Sequence, residues 1–140
     1  MKGISLVEVE YIAHRLAQQF LKWNEPIPEF GSRFPHVLES CLAMPFQTFA
    51  QRKLYHGLIG KAAVLFYLLI KNHPFQNGNK RVAMTTLLYF LYKNNKWLRV
   101  DEREVYLFAK WVAESNAKVK DETIRAIEKL LTTYIVSLNP

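Results

Sequence analysis

Within nine residues, His73-Pro74-Phe75-Gln76-Asn77-Gly78-Asn79-Lys80-Arg81 brings together a proton acceptor, two amides, a glycine and two cations. Histidine is the side-chain type whose ordinary pKa suits proton transfer near neutrality, so His73 is a candidate general base. Gly78 permits a positive φ and a close backbone approach, and successive N–H groups around Asn77 to Asn79 then converge on an anion. The run also leads into a helix, whose unpaired N–H groups and positive dipole end favour phosphate. Lys80 and Arg81 oppose that dipole in the first turn, and a bound anion would offset the conflict. A base at one lip and a phosphate cradle at the other point to group transfer onto a hydroxyl or water. Taken singly, each residue has a plainer use: an exposed histidine, an Asn-Gly turn, a solvated Lys-Arg face.

These groups need two helices and a rigid loop to hold them. Ser5-Leu6-Val7-Glu8 is a capping box, and Val9, Ile12, Ala13, Leu16, Phe20 and Trp23 continue it as one apolar stripe. Asn24 to Pro35, with three prolines and Gly31, reads as a loop; Pro35 opens a short helix through Met44, and Pro45 ends it. A polar connection around Gln47 to Lys53 precedes a long helix from about Leu54 to Asn72, apolar on nearly every side and so central. The loop His73 to Asn79 separates it from a second such helix, Lys80 to Tyr92, stopped by Asn94-Asn95. Trp97 to Val100 reads as a short extended piece. Asp101 and Glu104 suggest another capping box, for a helix to about Ser115. The last helix starts near Asp121 and places Ile124, Ile127, Leu130, Leu131, Tyr134, Ile135 and Leu138 on one face. The expectation is a single all-α domain over residues 1–140, a helical bundle whose two central helices are joined by the His73 loop.

Composition narrows the function classes. The net charge of +7 favours acidic partners, but the basic residues are dispersed and mark no nucleic-acid footprint. Cys41 has no cysteine to pair with, and the four histidines lack a zinc spacing. The apolar run Ala62 to Ile70 is too short to cross a bilayer, and Glu8 and Glu10 break any signal-peptide core, so a cytoplasmic protein is expected. His14 and His56 read as packing or surface residues, Cys41 as a small core residue, and Trp23, Trp97 and Trp111 as core or rim aromatics.

The run His73 to Arg81, followed by Val82-Ala83, resembles the signature of the Fic/Doc superfamily, written HxFx(D/E)GNGR in Fic enzymes and HxFxDxNKR in Doc-like (death-on-curing) toxins. Lys80 puts it nearer Doc. The flanks Leu38 to Pro45, Lys61-Ala62-Ala63 and Leu87 to Leu91 are similar to the family as well. The resemblance implies that His73 deprotonates a target hydroxyl, Phe75 anchors the loop, Gly78 and Asn79 shape an anion hole, and Lys80 and Arg81 contact the phosphates of ATP. It implies a phosphate transfer to a protein, with elongation factor Tu as the family's known target, and arrest of translation; AMP transfer on the same fold is the alternative. The acidic residue that holds Mg²⁺ in the family is Asn77 here. An amide oxygen is a weaker ligand for a hard cation, so a silent nucleotide-binding module is a further reading. Met84 stands where Fic enzymes carry a second arginine, and the sequence has no inhibitory (S/T)xxxE(G/N) segment. The resemblance therefore implies restraint by an antitoxin in trans, whose acidic tail would suit the positive charge.

Overall fold

A computed structural model describes residues 1–19, 23, 25–49, 52, 53, 55 and 57–139. The chain is all-α with two small antiparallel ladders. Helix α1 comprises Leu6–Glu8, a π-helical stretch Val9–Ala13, and His14–Gln19. Its start is the expected box: the Ser5 hydroxyl accepts from the Glu8 amide at 3.2 Å, and Glu8 accepts from the Ser5 amide at 3.0 Å. Phe20 lies outside the described residues. Trp23 is buried against Tyr106 and donates its indole N–H to Glu102 at 2.9 Å.

Helix α2 is Pro35–Ala43, and a 3-10 turn at Met44–Phe46 carries Pro45 before the chain straightens. The polar connection holds a ladder of β1 (Thr48–Phe49) and β2 (Arg52–Lys53), in which Thr48 faces Lys53 and Phe49 faces Arg52. Helix α3 is Gly57–Lys71; Leu54 and His56, at its expected start, lie outside the described residues. Every residue from Lys61 to Ile70 is buried, as an all-round apolar helix requires, and α3 packs on α4 (Asn79–Lys93) and on the last helix. Cys41 is buried, and burial pushes its thiol up to about 11, which fits a core residue and not a nucleophile.

Two expectations are corrected in the C-terminal part. Helix α5 is Glu102–Glu114, with the Asp101 carboxylate capping the Arg103 amide at 3.4 Å. Glu104 does not close a box; it accepts from the Tyr134 hydroxyl at 2.6 Å. Helix α6, Lys120–Tyr134, buries Ile124, Ile127 and Leu131 but stops before Ile135. Ile135–Ser137 is strand β4, antiparallel to β3 (Lys96–Leu98), with Trp97 opposite Val136. The Arg99 amide bonds Tyr134 O and the Leu138 amide bonds Asn95 O, both at 3.0 Å, so tertiary pairing takes over from helical spacing. No helix among the described residues is long and apolar enough to cross a membrane.

Candidate functional site

Lys71 fixes the end of α3 by donating to the carbonyls of Ala113 and Ser115 at the end of α5. The chain then turns at His73, which adopts φ 50, a left-handed conformation uncommon outside glycine. Pro74 O accepts from the Phe34 amide at 2.9 Å, and Phe75 is buried between His14 and Phe30, with ring centroids 5.5 and 6.0 Å away. His14 is a packing residue, as expected: it is buried, it donates from Nε2 to Pro28 O at 3.0 Å, and burial lowers its pKa, keeping it neutral.

Asn79 closes the loop on itself. Its side-chain oxygen accepts from the Phe75 amide at 3.0 Å, and its Nδ2 donates to Phe75 O at 2.8 Å. Both buried backbone groups of the anchor are thereby satisfied. Nδ2 also lies 3.5 Å from His73 Nδ1, an arrangement suited to the tautomer with its lone pair on Nδ1.

Gly78 precedes α4 with φ 75 and ψ 12, and no side chain caps the helix start, so the first-turn N–H groups lack a side-chain acceptor there. A Cβ on Gly78 would stand 2.9 Å from both Pro26 O and Ile27 Cδ1, so glycine is needed twice over, for φ and for the approach of the 26–27 backbone. Beside this start lies a cleft of about 170 Å³, lined by Glu25, Ile70, His73, Gln76, Asn77, Gly78, Asn79, Lys80 and Ala113. His73, Asn77, Gly78, Asn79 and Lys80 are thus brought together.

Arg81 is not at this cleft. It is buried and donates to the carbonyls of Glu25 and Ala17, tying α4 to α1 and to the segment after it. One residue further along a helix rotates a side chain by about 100°, which turns Arg81 inward while Lys80 faces the cleft. Met84 is buried in the core. The sequence reading also missed Glu25, whose carboxylate pairs with Lys80 at 2.6 Å and is itself largely buried. Nothing local signals this pairing; only Pro26, with the loop it stiffens, hints that the residue is held.

The Mg²⁺ expectation can be tested against these groups. Asn77 Oδ1 accepts from the Gly78 amide at 3.0 Å, and the carboxylate of Glu25 is engaged by Lys80. Among the described residues no three His, Cys, Asp or Glu side chains cluster as a metal site. Asn77 thus offers a cation an amide oxygen, a poorer donor than the carboxylate that a hard cation prefers. The uncapped start of α4, Gly78 and Lys80 are groups that suit an anion.

The family model described as the Fic/DOC family matches residues 3–91, which includes α1, α3, the loop and α4 up to Leu91. No curated protein and no solved structure matches the chain significantly.

Proposed function

The chain belongs to the Fic/DOC family, whose members are typically transferases, and we propose that it moves the terminal phosphate of a nucleotide such as ATP to a hydroxyl of a target protein. The observation that carries this reading is one cleft lined both by His73 and by Lys80 at the uncapped start of α4. At about 170 Å³ the cleft is smaller than the roughly 300–1,000 Å³ of whole-ligand pockets, so it suits phosphate groups with the nucleoside outside. When bound, the nucleotide supplies the activated phosphoryl group. His73 takes the proton of the acceptor hydroxyl at Nδ1, whose long 3.5 Å contact with Asn79 Nδ2 gives way to the hydroxyl, while Asn79 holds the loop in register through Phe75. Lys80, on parting from Glu25, balances charge on the phosphate oxygens, and the first-turn amides of α4 add oriented dipoles. Arg81 positions the segment after α1 and does not touch the phosphates.

A second reading has its own support. Glu25 neutralises Lys80, and Asn77 replaces a carboxylate, as in a module that binds without turnover. The test is a transfer assay with ATP labelled on the α or the γ phosphate, using elongation factor Tu and bacterial lysate as acceptors. Label kept only from γ, and abolished in His73→Ala, supports the kinase reading; label from α replaces it with AMP transfer. If neither label moves but Asn77→Asp regains transfer with Mg²⁺, the wild-type chain is a silent relative.

A further inference from the structure

We infer, on the basis of the transfer reading above, that the recess between the start of α2 and the end of α3 receives the segment of the acceptor protein that flanks its hydroxyl, and selects neutral polar residues there. The recess holds about 400 Å³ and is lined by His36, Val37, Ser40 and Asn72. It is a different space from the cleft of His73 and Lys80, yet the two adjoin through the chain: Asn72 lines the one and His73 the other. Consecutive Cα atoms are about 3.8 Å apart. An extended segment advances about 3.3 Å per residue, so with its hydroxyl at His73 the residues one and two places away reach Asn72 and the face of α2.

The recess keeps a fixed place relative to the base. The Phe34 amide donates to Pro74 O at 2.9 Å and ties the start of α2 to the loop that carries His73. His36 and Ser40 lie four residues apart and share one face of α2, with Val37 beside them as an apolar wall. His36, Ser40 and Asn72 are exposed. Among the described residues neither the His36 ring nor the Ser40 hydroxyl has a hydrogen-bond partner, so a ligand meets both without displacing one. Lys80, by contrast, must first part from Glu25. The Asn72 amide bonds the sulfur of buried Cys41, which orients it before a ligand arrives. Among its described lining residues the recess has no carboxylate, ammonium or guanidinium group. A charged acceptor residue would lose water there and find no counter-charge. An amide or hydroxyl side chain would exchange water for the imidazole, hydroxyl and amide of the recess. The acceptor hydroxyl is therefore flanked, within two residues, by asparagine, glutamine, serine or threonine.

The test uses the full chain, ATP labelled on the α or the γ phosphate, and an array of peptides with one central threonine and every residue type at the two positions on either side. The wild type should prefer asparagine, glutamine, serine or threonine at one of those positions. His36→Ala and Asn72→Ala should flatten that preference and raise the peptide KM about five- to tenfold, the loss of one hydrogen bond, with kcat within about twofold. Ser40→Asp supplies the missing counter-charge and should switch the preferred residue to lysine or arginine, a change that a structural role alone would not produce. Circular dichroism first shows each variant to be folded. An unchanged preference in Ser40→Asp, or a peptide KM unmoved in both alanine variants, overturns the inference. Label from α revises the transfer reading alone, and the same comparisons then decide the recess. If the wild type labels no peptide, the transfer reading has failed, and retention of fluorescent copies of the same peptides decides the recess. Retention that Ser40→Asp redirects to basic peptides supports it; no retention, or retention blind to Ser40→Asp, overturns it.

Discussion

Replacing Gly78 by alanine should be among the most destabilising changes in the His73 loop, and its size follows from two separate costs. At φ 75 a residue with a Cβ is in the left-handed region, at about 1–2 kcal/mol. The added methyl would also stand 2.9 Å from Pro26 O, a backbone atom that cannot rotate away, and 2.9 Å from Ile27 Cδ1, which can. Forcing that backbone outward adds about 1–3 kcal/mol, so the expected loss is about 2–5 kcal/mol. Asparagine tolerates the left-handed region but is larger, so Gly78→Asn removes most of the first cost and keeps the second. Urea unfolding followed by circular dichroism reads both variants, provided the slope is unchanged. A loss below about 1 kcal/mol for alanine would refute the reasoning. Glycine-like stability for asparagine would refute the close approach of the 26–27 backbone and leave φ as the sole constraint.

Arg81→Met should lower stability by about 2–4 kcal/mol, because the Ala17 and Glu25 carbonyls lose their donor in a buried setting; unchanged thermal stability with lost phosphate binding would instead return Arg81 to the cleft. Glu25→Gln should free Lys80 and tighten binding of inorganic phosphate, measured by calorimetry, by about fivefold, the equivalent of about 1 kcal/mol; weaker binding would make Glu25 part of the ligand site. Burial alone would raise the pKa of Glu8, but Lys93, the Ser5 amide and the Tyr89 hydroxyl outweigh it and hold the carboxyl at about 2 against an ordinary 4.5. That depressed value makes its contribution fully present above pH 4.5 and lost as pH falls through about 2. The full shift corresponds to about 3 kcal/mol, which solvent screening of a side chain 24% exposed reduces to about 1–2 kcal/mol. Glu8→Gln should flatten the acid limb of the stability curve by that amount, and an unchanged limb would contradict the pairing.

What the sequence made legible was local. The Ser5 and Glu8 box closes within three residues, and the central helices show as apolar runs flanking a loop of proline, glycine and amides. What it hid was decided across the fold. Glu104 has the spacing of a box residue, yet Tyr134 draws it away. Ile135 and Leu138 keep a helical spacing, yet pairing with Lys96–Leu98 straightens the chain there. Lys80 and Arg81 are adjacent cations with the same apparent use, and only the presence of α1 on one side of α4 separates them. Glu25 meets Lys80 from a loop far away in sequence, which no periodicity encodes.

Glu25 also constrains how the cleft could open. With Lys80 paired, the described ion pair carries no net charge toward an incoming phosphate, and the attraction left is that of the α4 start, about half an elementary charge. An anion must then exchange with the carboxylate. Yet the Glu25 backbone cannot simply swing out, because its carbonyl accepts from Arg81 and the next residue, Pro26, lies against Gly78. The movement that fits both facts is a rotation of the Glu25 side chain about a fixed backbone, which exposes Lys80 without unfolding the loop. On the proposed reading Arg81 and Gly78 keep the exchange local: they hold the frame still, so that the work of binding is confined to one side chain.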